Sequence, residues 1–199
     1  MKKTVTLAEL LIAIALLGTI LLAVGVFEVG SLRMYHKQDY RVSVFSDIVF
    51  ITQHLNKYIR PAIGDKDNPG IRISWTSPCK CTGKDYSSCN CYVEIRNDTK
   101  NTPSKYSDDI KRVYAYNSSN YELRFYPDIT VPNNRDKYEV LSKRVVDCKF
   151  FFDINTPQIF RIDKLKLRYN PYKNSSQENP EVEISPISLK LFSFSHSLN

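Results

Sequence analysis

Glycine and histidine are scarce in this chain. Its 6 glycines leave little scope for a Gly-rich loop that cradles a phosphate, and the sequence contains none. The three histidines, His36, His54 and His196, stand far apart, and none sits in a helical metal motif or a Ser/His/Asp pattern. No internal repeat is visible. These gaps remove the usual sequence grounds for an enzyme, and the chain reads as non-catalytic and without a cofactor.

What is present sets a different course. The 199 residues have room for one membrane segment and one domain of ordinary size. With 13 Tyr and 10 Phe the composition leans toward strands, where aromatic side chains fit the pleated surface. A formal net charge of +7 raises the question of an anionic partner, nucleic acid or acidic lipid, against the plainer reading of a solvated basic surface.

Residues 10–27 are an unbroken run of 18 apolar or small side chains. As a helix the run would be about 27 Å long, close to the thickness of a hydrocarbon core. Lys2 and Lys3 before it, and Ala23-Val24-Gly25 within it, also fit a conventional secretory signal. Glu9 opposes that reading, because an unpaired carboxylate at the mouth of the run costs about 2–3 kcal/mol in lipid and usually marks a function. The plainer alternative is that Glu9 reaches back to the interface. Positive charges flank both ends, Lys2 and Lys3 against Arg33, Lys37 and Arg41, so counting them gives no orientation.

Residues 1–11 (MKKTVTLAELL) resemble the class III signal of type IV pilins and type II secretion pseudopilins. The resemblance implies a leader at 1–4, cleavage by prepilin peptidase between Thr4 and Val5, methylation of the new amine, and an apolar helix retained on the mature chain. Glu9 is then the fifth mature residue, and its mate is the cationic amine of the adjoining subunit; such an amine has a pKa near 8 and is largely charged at neutral pH. The sequence departs from the family pattern at Thr4, where Gly is usual, and at Val5, where Phe is usual. Thr6, Leu7, Leu10 and Leu11 agree with it. The resemblance and the cysteines both put the large domain outside the inner membrane, in the periplasm or beyond the cell.

Past residue 27 a helical pattern continues, because Val44, Ile48, Ile51, Leu55 and Ile59 recur at spacings of one apolar stripe. Arg60-Pro61 is the expected stop. A continuous helix from Val5 to Ile59 would be about 80 Å long. Beyond Gly70 the alternation turns strand-like at residues 71–75, 92–96, 111–116, 121–126, 165–169 and 187–191, with 145–152 read as a more buried strand. A three-residue loop at 117–119 would set Val113 opposite Leu123 and Ala115 opposite Tyr121. Residues 97–109 and 170–180 read as loops. The expected fold is α+β and pilin-like, a long N-terminal helix packed on an antiparallel β-sheet head. Its parts are a leader at 1–4, a transmembrane segment at 5–27, a soluble half-helix at 28–60 and a β-rich domain at 61–199. This order of a long helix followed by strands resembles minor pilins of the W type and minor pseudopilins of the J type.

The five cysteines are Cys79, Cys81, Cys89, Cys91 and Cys148. A hairpin centred on Asp85 would set Cys79 against Cys91 and Cys81 against Cys89, all on one side. Two stacked disulfides, a different pairing that includes Cys148, and a four-thiolate metal site all remain open, with an oxidising compartment favouring disulfides. The loop at 82–88 has little apolar content and reads as a rigid projecting tip. Asp108 and Asp109 are a candidate cation site or a solvated turn.

Lys164, Lys166 and Arg168 share one face of a strand. They form a candidate anion-binding row or, more plainly, a charged solvent face. The expected function is that of a minor pilin or pseudopilin that starts or caps a filament of other such subunits. The alternative is an adhesin or DNA-uptake pilin that binds an external ligand through its head.

Overall fold

The computed structural model describes residues 6–62, 64, 69–100, 102, 105–152, 159–176, 179–184 and 187–190. The chain is α+β, with one long N-terminal helix and antiparallel sheets. Helix α1, Leu7–Ile59, begins with a reciprocal cap. The Thr6 hydroxyl accepts the Glu9 backbone N–H at 3.4 Å, while the Glu9 carboxylate accepts the Thr6 N–H at 2.9 Å and hydroxyl at 3.0 Å. This capping box satisfies backbone donors that the first turn leaves orphaned. The helix stops before Arg60-Pro61 because proline disfavours helical backbone in the residue before it.

The chain divides into two compact units, Met1–Val42 and Ser43–Asn199. Every side chain described in the first is exposed, and within it lies a helix length apolar enough to cross a membrane, none of it buried inside the protein.

Among the described residues, the second unit holds the rear of α1 and nine strands. β1 (Ile71–Trp75), β2 (Cys91–Asn97), β3 (Ile110–Asn117), β4 (Glu122–Tyr126) and β5 (Glu139–Ser142) form an antiparallel sheet in chain order. β6 (Val145–Phe152) and β7 (Ile159–Arg168) begin a second sheet. Its third position is filled by β8 (Glu181–Ile184) and β9 (Ile187–Lys190), which pair along successive lengths of β7 in one register. One core joins the layers: Val44, Ile48, Ile51, Leu55 and Ile59 are buried in the same cluster as β2, β3, β4, β6 and β7 side chains. Burying an apolar stripe of this kind is what holds a helix on a sheet.

Three expectations are corrected. The β3–β4 hairpin sets Val113 opposite Tyr126 and Tyr116 opposite Leu123, with Asn117 paired to Glu122. A shift by an odd number of residues exchanges the faces. The sequence misleads here because both faces of β3 are buried, Tyr114 and Tyr116 in the main cluster and Val113 and Ala115 in a smaller one. The turn closes with Tyr121 at φ 58°, costly for a bulky residue. The Arg168 guanidinium lies 3.8 Å from the Tyr121 ring centre, and the Tyr121 carbonyl accepts the Val145 N–H. Strands β5 and β8 are also new, and β7 begins six residues earlier than its alternation signalled, at Ile159 rather than Leu165.

Candidate functional site

Thr4 and Val5, the expected processing site, lie outside the described residues. Glu9 lies within them, at the third position of the helix, where its carboxylate completes the cap with Thr6. A local structural task therefore accompanies any role the charge has in assembly.

The cysteines close two disulfides, Cys79–Cys91 and Cys81–Cys89, leaving Cys148 as a buried thiol. Burial pushes the Cys148 thiol far above its ordinary range, which makes it an inert core residue. The expected hairpin centred on Asp85 is not a strand pair, because Cys91 belongs to β2 opposite Trp75, and only an isolated bridge joins Cys81 to Cys89. The disulfides consequently do not share a side. Cys79 and Cys91 join the main core, whereas Cys81 and Cys89 join the smaller cluster on the other face of the first sheet.

The 82–88 loop is likewise not a projecting tip. Tyr86 packs into that smaller cluster, the Tyr126 hydroxyl donates to the Lys84 carbonyl at 2.8 Å and Arg124 donates to the Gly83 carbonyl at 3.2 Å. A loop poor in apolar residues is held down by polar contacts from the strands beneath it, which its own composition does not reveal.

The basic row on β7 is engaged from within the chain. Lys164 pairs with Asp147 at 2.8 Å and Lys166 with Glu181 at 2.5 Å. Arg168 is buried, covers Tyr121 and donates to the Pro171 carbonyl. The three do not form a free anion-binding surface, because β6 and β8 bring carboxylates to the first two and packing withdraws the third. Asp109 is buried against Arg96 at 3.9 Å, and burial raises its carboxyl above the ordinary range. Among the described residues no group of three or more His, Cys, Asp or Glu is arranged to hold a metal ion.

Sequence reasoning missed two aromatic groupings. The first surrounds His54, whose ring contacts Phe50, Tyr58, Tyr114 and Phe125. The Tyr114 hydroxyl donates to the His54 carbonyl at 3.1 Å and lies 2.9 Å from its Nδ1. Burial lowers the imidazole pKa below its ordinary value. The second groups Trp75, Tyr116 and Phe150 where the edges of the two sheets meet. The wealth of Tyr and Phe was the available signal, but which rings converge depends on strand pairing. No family model, curated protein or solved structure matches this chain.

Proposed function

We propose that the chain is a pilin-like, non-catalytic subunit, a minor pilin or pseudopilin held by one N-terminal helix in the inner membrane. It joins other such subunits and starts or caps a type IV pilus-like or type II secretion filament. Its processing is cleavage by prepilin peptidase between Thr4 and Val5 and methylation of the new amine. One observation carries the reading: α1 presents apolar side chains on surfaces that the chain does not cover by itself. In its first unit these are the residues of the membrane-length run, such as Leu10, Ile14 and Leu21. In its second, Phe45 and Val49 stay exposed at 67% and 37% beside the buried stripe of Val44, Ile48 and Ile51. Lipid accounts for the former; for the latter, helices of neighbouring subunits are the natural cover.

The cap at Glu9 sharpens the test. Glu9→Gln retains a side chain able to accept the Thr6 N–H and discards only the charge, whereas Glu9→Ala discards both. Pairing with a neighbour's amine requires the charge, so both variants should lose incorporation into filaments by about ten-fold or more, a difference of about 1.4 kcal/mol. If the Gln variant assembles as the parent does, the cap alone explains Glu9 and the charge-pairing mechanism fails. N-terminal analysis of membrane-extracted protein should find methylated Val5; a start at Val26 would reveal a conventional signal.

A further inference from the structure

A cleft of ≈ 660 Å³ opens between the neighbouring edges of the two sheets, within the size range of small-ligand sites. Its aromatic wall is Trp75, whose ring lies nearly parallel to Tyr116, 6.5 Å between centroids, and edge-on to Phe150 at 5.3 Å. The wall is fixed from behind. The Tyr116 hydroxyl donates to the Val146 carbonyl at 2.5 Å, tying β3 to β6. Ser118 donates to the Cys79 carbonyl, and Cys79 is bonded to Cys91 at the start of β2. A site assembled before its ligand arrives loses less entropy on binding.

The rim is polar and unbalanced. Lys149 stands directly opposite Lys164 across the β6–β7 pair, an arrangement that repels and contributes nothing to sheet stability. Asp147 takes Lys164, while Lys149 is exposed and makes no ion pair among the described residues. The cleft therefore combines a rigid aromatic face, hydroxyl and carboxylate groups from Ser77, Ser118 and Asp147, and in Lys149 a cation without an ion-pair partner among the described residues. A sugar ring matches this set: its C–H face stacks on an aromatic ring while its hydroxyls exchange hydrogen bonds with the rim. A fatty chain would strand the rim's polar groups without partners. A nucleotide's clustered phosphate charges would meet Asp147 with Lys149 alone among the described rim residues to offset them.

We infer that the Trp75 cleft binds a carbohydrate carrying a carboxylate, with Trp75 under the sugar ring and Lys149 on the acidic group. Trp75 is the only tryptophan in the chain, so emission excited selectively at tryptophan, beyond the absorption of the 13 tyrosines, reports on this cleft. The full-length protein, in a detergent without a sugar headgroup, is titrated with trigalacturonic acid, maltotriose and acetate. Trigalacturonic acid should change the emission saturably, with a Kd of about 1 mM or tighter. Maltotriose should bind more weakly, acetate should leave the emission unchanged, and the Lys149→Glu variant should bind the acidic trisaccharide at least about ten-fold more weakly. Lys149 is exposed and faces Lys164, so that variant should unfold at or above the parent's midpoint, and weaker binding is then not a loss of fold. The inference is overturned if trigalacturonic acid produces no saturable change up to about 10 mM, if maltotriose binds as tightly, if acetate alone reproduces the change, or if Lys149→Glu binds unaltered. No residue of α1 lines the cleft, so failure here leaves the filament reading untouched.

Discussion

Two lengths of α1, residues 10–27 and residues 44–59, are both helical and both rich in leucine, isoleucine and valine, yet they carry their apolar side chains to opposite ends. In the first, apolar residues occupy every side and all are exposed. In the second they form a stripe, and Ile51, Leu55 and Ile59 are wholly buried against the sheets. Asp47 marks the difference, accepting the Ser142 hydroxyl at 2.9 Å and pairing with Arg144 at 3.6 Å beside the stripe. A helix that faces water on one side needs such polar neighbours, whereas a helix apolar all round needs lipid or other helices.

The largest expected effect contrasts these lengths directly. Leu55→Ala should cost the sheet domain about 2–5 kcal/mol through lost burial and a residual cavity, read by denaturant unfolding followed at Trp75. Leu16→Ala, in the exposed length, should leave that transition unchanged. Equal losses at the two positions would break the distinction.

A smaller effect concerns pH at the junction of helix and sheet. Burial lowers the His54 pKa below its ordinary value of 6.5, with Glu139 pulling it upward and Lys57 downward. The unfolded chain then binds the proton more readily than the folded one. Stability is full above 6.5 and is lost as pH falls from there toward the lower folded value. The unfolding midpoint should drop over that interval, and His54→Phe should flatten the drop. An unchanged slope in that variant would place the pH sensitivity elsewhere.

The smallest effect on stability belongs to Phe45→Ser. Its side chain is exposed, so stability should change by no more than about 0.5 kcal/mol, while cross-linking to neighbouring subunits in membranes should fall. Normal cross-linking would show that the uncovered side of the rear length has no partner.

Much of the helix was legible because its signals are local. The unbroken run, the spacing of the buried stripe and the proline stop can each be read within a few turns, and α1 ends at Ile59 as that spacing implies. Six of the expected strands likewise coincide with β1 to β4, β6 and β9 to within two residues at each end. Legibility failed where two segments had to be matched. Tyr114 and Val113 are neighbours buried alike on opposite faces, so alternation locates β3 without saying which face meets the helix.

The sequence by itself determined the membrane-length helix, its amphipathic continuation and the strand-rich remainder, because periodicity and run length are properties of neighbours along the chain. Only the tertiary structure decided the β3–β4 register, the separation of the two disulfides onto different faces, the pairing of Lys164 and Lys166 with acids, and the meeting of Trp75, Tyr116 and Phe150. Each of those depends on which distant segments lie side by side. That choice is made by the packing of whole faces, a balance no single stretch of residues contains.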